Sequence, residues 1–103
     1  MANFKLSIGM NDKDAHKQII SKDDFLKIVT AHLPDCSIQE GYGVYHGELE
    51  HSLFVTVYGM EQEEAETAAA TLCDVLNQNE IVVSEIFENA TFVHGKGYKE
   101  ISK

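Results

Sequence analysis

Strict alternation of apolar and polar positions opens the chain. From Asn3 to Gly9, Phe4, Leu6 and Ile8 fall on one face and Asn3, Lys5 and Ser7 on the other, which predicts a half-buried strand. A polar loop follows from Met10 to Ile20. The period then changes. Ser21 opens a helix with Asp24 as its capping-box partner, and Phe25, Ile28, Val29, His32 and Leu33 share one helical face before Pro34 forces a stop.

Two more strands are expected next. Ser37 to His46 carries Ile38, Tyr42 and Val44 on one face, with Gly41 and Gly43 marking a bulge or bend. Gly47 to Glu50 reads as the hairpin turn. Ser52 to Tyr58 is dense in β-branched and aromatic residues, with Leu53, Val55 and Val57 facing one way. A second helix is expected over Glu61 to Asn77, with Ala65, Ala68, Ala69, Leu72, Val75 and Leu76 as its apolar stripe. Ile81 to Phe87 reads as a fourth strand, Ala90 to Val93 as a short edge piece and residues 96–103 as a loosely held tail.

The order β-α-β-β-α-β predicts an α+β domain of ferredoxin-like βαββαβ type: a four-stranded antiparallel sheet with both helices on one face. With 103 residues, 44% of them hydrophobic, the chain is read as one domain with its own core. That fold hosts many unrelated activities and settles no chemistry.

Charge narrows the choice of partner. Seventeen acidic residues face eight basic ones, all lysine, for a net charge of −9. Between Ile28 and Gly95 there is no lysine or arginine at all, against twelve acids. Such a chain repels polyanions and lacks the guanidinium fork that reads phosphate and guanine, so DNA, RNA and anionic membranes are not expected partners. No stretch has the apolar length of a membrane span or a signal peptide. Cys36 and Cys73 lie far apart and read as small hydrophobes in a reducing, cytoplasmic setting.

Candidate chemistry is sparse. His46 and His51 flank Glu48 and Glu50 around the expected turn, a set that could gather a divalent metal, with His94 joining only if the fold brings it there. Asn11, Asp12, Lys13 and Asp14 follow the first strand, but lack the continuation of a calcium loop. Glu61, Glu63, Glu64 and Glu66 occupy the first turns of the second helix, where the macrodipole favours them. No nucleophile–base pair is legible, so the expectation is of a chain that is not an enzyme and carries no cofactor. Tyr45, Phe54 and Tyr58 belong to the sheet face away from the helices, an open aromatic face without the basic neighbours of RNA-recognition domains and suited to protein contact.

The run from Leu6 to Asp14, the Ser-initiated helix and Gly41-Tyr42-Gly43-Val44-Tyr45 before an acidic hairpin resemble small uncharacterised ferredoxin-like proteins of Gram-positive bacteria, their phages and mobile elements. The resemblance spans residues 4–90 and implies an accessory protein. It brings no activity, and no residue inherits a role. Together these readings give the expected function. The chain would be an acidic protein-binding module, whose Glu48, Glu50, Glu61, Glu63, Glu64 and Glu66 meet a basic surface, as in a phage inhibitor filling the nucleic-acid groove of a host or defence protein. The alternative is a homodimer, paired with a second copy of itself, that binds a small ligand or a divalent metal through the sheet face or through His46 and His51.

Overall fold

The elements form in the expected order. The structure, a computed structural model, describes residues 1–87, 91, 93 and 95–97. The edge piece expected over Ala90 to Val93, the placement of His94 and most of the tail depend on residues outside that set. Strand β1 (Ala2–Gly9) leads to helix α1 (Lys22–His32), then to β2 (Ser37–Tyr45), β3 (Glu48–Met60), helix α2 (Gln62–Val75) and β4 (Val82–Ile86). The sheet order is β2-β3-β1-β4, with every neighbouring pair antiparallel. Both helices cover one face, so the architecture is the ferredoxin-like α+β arrangement.

The core follows from the two periodicities. Phe4, Leu6 and Ile8 of β1 and Leu53, Val55 and Val57 of β3 point to the helices and are buried. Phe25, Val29 and Leu33 come down from α1, and Ala65, Ala69, Leu72 and Leu76 from α2. Small alanines let α2 lie close to the sheet. Ser21 caps α1 by accepting a hydrogen bond from the Asp24 N–H at 3.2 Å.

Two positions of the expected helix faces turn outward. Val75 is 49% exposed because it lies to one side of the buried face formed by Ala65, Ala69, Leu72 and Leu76. His32 is exposed as well, its Nδ1 lying 2.8 Å from the Ile28 carbonyl oxygen. It is a surface side chain on the last turn of α1, where a basic residue suits the helix C-terminus.

The β2–β3 hairpin departs most from expectation. Its turn is two residues long, His46 and Gly47, with φ of 52° and 80°. Positive φ at both central positions is what a type I′ turn requires. Glu48, Leu49 and Glu50, expected in the turn, are therefore strand residues, and so is His51. Pairing runs unbroken from Ser37↔Thr56 to Tyr45↔Glu48, so Gly41 and Gly43 make no bulge. Instead they leave room for rings: a Cβ on Gly41 would stand 3.1 Å from Phe54, and one on Gly43 2.5 Å from the Tyr45 hydroxyl. The bulge lies between β1 and β3, where Ala2 pairs with Met60 and Phe4 with Val57. There Gly59 takes φ 65° and donates its N–H to Asn3 Oδ1 at 3.1 Å.

Because β1 ends its pairing with β3 at Gly9↔Ser52, with the Met10 N–H still donating to His51 O at 2.9 Å, residues 42–45 and 48–50 pair only with each other as a two-stranded arm beyond the sheet. Tyr42, Val44 and Leu49 lie on the helix-side face of this arm, past the reach of the helices, and are each about two-thirds exposed.

Candidate functional site

A cleft of about 330 Å³ opens on the sheet face away from the helices, at the root of the arm. Ser7 and Gly9 of β1 and Val82 of β4 form its floor. Tyr45, His46, Glu48 and Glu50 form the arm side. The opposite wall comes from two loops, with Asn11, Asp12, Lys13 and His16 after β1, and Gln78, Asn79 and Glu80 after α2.

Those loops are latched together. Asp12 is buried and accepts hydrogen bonds at Oδ2 from the N–H groups of Asp14 (3.0 Å) and Ala15 (2.9 Å). Its Oδ1 accepts from Asn77 Nδ2 at 2.7 Å. The Asn77 contact foremost, then the Ala15 N–H, holds the Asp12 carboxyl below the usual aspartate range against the opposing effect of burial. Asn77 also ends α2. It takes φ 52° and donates its N–H to Asp74 O, while the Gln78 N–H donates to Cys73 O at 2.9 Å, a Schellman closure. Gln78 Nε2 then donates to Asn11 O at 2.9 Å. The Asp12 carboxylate thus accepts three hydrogen bonds from structural partners. Two of them close a turn within the loop, as Asp favours.

On the arm side, Tyr45 lies over Gly43 with its hydroxyl 3.4 Å from Ser52 Oγ, a serine buried on the open face. Glu50 is half-buried and folds inward, accepting the Asn11 N–H at Oε2 (3.3 Å). Glu48, Glu80 and Lys13 are exposed at the rim. Among the described residues, four carboxylates and one lysine, Lys13, line the cleft. The cleft wall is negative, with one cation on the loop side.

The remaining site expectations fall elsewhere. His51 is on the other face of the arm from Glu50. Its Nε2 lies 2.7 Å from Glu40 Oε1, and its ring stands 5.5 Å from that of Tyr42. Glu40 also meets Lys22 Nζ at 3.4 Å. These contacts, the His51 hydrogen bond above all, lower the Glu40 carboxyl below its ordinary range. His46, by contrast, lines the cleft from the turn. The two histidines therefore do not converge, and among the described residues no three His, Cys, Asp or Glu side chains are grouped to hold a metal.

Phe54 and Tyr58 share the open face with Tyr45, yet only Tyr45 reaches the cleft. Lys5 stands on that face too, paired with Thr56 and Ser84, so a basic neighbour is present where none was expected. The acids divide into two groups. Glu48 and Glu50 start β3, whereas Glu61, Glu63, Glu64 and Glu66 follow its end, roughly 35–40 Å further along an extended strand. Glu61 there meets the Met1 amino group at 3.5 Å. Both cysteine thiols are pushed up, by burial first and then by neighbouring acids, which keeps them protonated. No described helix is long and apolar enough to cross a membrane.

No protein-family model and no curated protein matches the chain. In structure it is similar to a phage SAM lyase in its apo state, with 22% sequence identity and a TM-score of 0.59, over 94% of this chain and 91% of that one. The likeness is one of fold, across nearly the whole of both chains. It corrects the expectation that the chain is not an enzyme, because the architecture it adopts is one that carries a lyase. That expectation leaned on the lack of a legible nucleophile–base pair, and not every bond cleavage needs one.

Proposed function

We propose that the cleft binds S-adenosylmethionine (SAM) and that the chain is a lyase acting on it in the cytoplasm. The observation that carries this reading is the acid-walled cleft around Glu50, on a fold shared with a phage SAM lyase. SAM carries two cationic centres, a sulfonium and an ammonium, and one carboxylate. Glu48, Glu50 and Glu80 suit the first two, and Lys13 suits the third. The flat Tyr45 ring offers an aromatic surface to the adenine.

The chemistry asks little of the protein. A sulfonium sulfur leaves as a neutral thioether and takes the C–S bonding pair with it, so the leaving group needs no proton. As the C–S bond breaks, the carbon it leaves forms a C–O bond to the substrate's own carboxylate and closes a lactone with no other reactant, so what the protein must supply is placement of the methionine chain. Carboxylates beside the sulfonium favour the bound cation and lose that interaction as the charge disappears, so they act on affinity more than on the barrier.

Calorimetry with SAM, followed by mass analysis of the incubated mixture, tests the proposal. Binding is expected with a Kd of about 1 μM to 1 mM, together with slow loss of SAM. S-adenosylhomocysteine lacks the sulfonium charge and should bind on the order of tenfold more weakly. Absence of both binding heat and cleavage at millimolar SAM would overturn the reading.

Contact with a basic protein surface is the second reading, through Glu63, Glu64 and Glu66 on the exposed start of α2. It comes second because the helix macrodipole accounts for those residues and the cleft acids stand far from them.

A further inference from the structure

We infer that Gly9 is the positioning residue of the cleft: by having no side chain, it lets the Glu50 carboxylate fold onto β1 and reach the Asn11 N–H. A Cβ built on Gly9 would occupy the place of Glu50 Oε2 and crowd the carboxyl carbon behind it. The two residues belong to different strands and are not direct pairing partners, since Gly9 pairs with Ser52 and Glu50 with Gly43. Glu50 therefore reaches diagonally across the open face to β1. Gly9 supplies the space for the carboxylate, and the Asn11 N–H supplies the hydrogen bond that orients it.

No unusual backbone angle calls for this glycine. Gly9 is not among the positive-φ positions, and it sits in regular antiparallel pairing. An alanine fits that backbone. Its cost is the displacement of the far end of one flexible side chain, so Gly9→Ala should keep the fold and lose only the placement of Glu50.

The consequence for SAM rests on the function proposed above, whereas the placement of Glu50 does not. Two measurements on the full chain keep them apart. The first is the Asn11 amide resonance in ¹H–¹⁵N spectra of the wild type, Gly9→Ala and Glu50→Ala. Losing the carboxylate moves that amide proton upfield in Glu50→Ala, and Gly9→Ala should reproduce the shift while the β1–β4 amides stay in place. An Asn11 resonance unchanged in Gly9→Ala, while Glu50→Ala moves it, would overturn the inference. So would β1–β4 amides that shift as widely as Asn11, because the glycine would then be needed by the sheet and not by Glu50.

The second measurement is SAM affinity. Gly9→Ala and Glu50→Ala should each weaken it on the order of tenfold, as for a lost charge-assisted contact. The double variant should be no weaker than Glu50→Ala alone. Additive losses would overturn a role exerted through Glu50. Absence of SAM binding in the wild type sinks the proposed function and leaves the Asn11 resonance to decide on Gly9.

Discussion

Asp12 uses both carboxylate oxygens to tie the loop after β1 to the end of α2, and this fixes the far wall of the cleft. Its carboxyl is stabilised in the charged form by Asn77 and the Ala15 N–H. A carboxyl depressed in this way adds stability at neutral pH, holds it down to the ordinary aspartate value and loses it as pH falls through the lower folded value. Asp12→Asn should therefore melt earlier than the wild type at pH 7, with the gap closing below about pH 4. A gap that stays constant to low pH would show that the geometry and not the charge matters. In the core, Leu72→Ala should cost about 2–5 kcal/mol in a denaturant titration, since its side chain is fully buried between α2 and the sheet.

At the scale of elements, the strands and helices with one buried face were legible, because burial imposes a period. Phe4, Leu6 and Ile8, and then Leu53, Val55 and Val57, show it plainly, and Ser21 marks the start of α1 as a cap should. The arm was not legible in the same way. Beyond the helices neither of its faces joins the apolar core, so Glu48 to Glu50 carry no apolar alternation and read as turn. The I′ signal was present in His46-Gly47, but histidine is a rarer first residue than asparagine at positive φ. His46→Asn should accordingly stabilise the hairpin by about 0.5–1 kcal/mol, and Gly47→Ala, at φ 80°, should destabilise it by about 1 kcal/mol in thermal melts. Of the cleft, Asn11, Asp12, Lys13, Tyr45, His46, Glu48 and Glu50 were singled out from the sequence for other reasons. Gly9, Gln78 and Glu80 were not, because only the sheet order and the Asp12–Asn77 latch bring those loops beside the arm. A glycine at the end of an alternating strand, directly before a polar loop, was the one signal that pointed there.

For the whole molecule, a net charge of −9 is the dominant long-range term. Self-repulsion among the acids opposes compaction, so raising sodium chloride from 0.02 to about 0.5 M should raise the melting temperature, where the Debye length falls below about 5 Å. A fall would mean that ion pairs such as Glu40 with Lys22 and His51 outweigh the repulsion. The same salt should weaken SAM binding, because the cleft draws part of its field from acids that never touch the ligand. The arm has a consequence of another kind. Its amides between residues 43 and 50 are bonded across a two-stranded ribbon with no third strand behind it, so it should breathe as a separate unit while the β1–β3 centre stays closed. Deuterium uptake there would run far ahead of uptake in the core. A molecule lodged between Glu50 and the latched loops would couple the ribbon to the sheet and slow that uptake. The hairpin would then be a built-in gauge of occupancy, readable without any knowledge of what the ligand becomes.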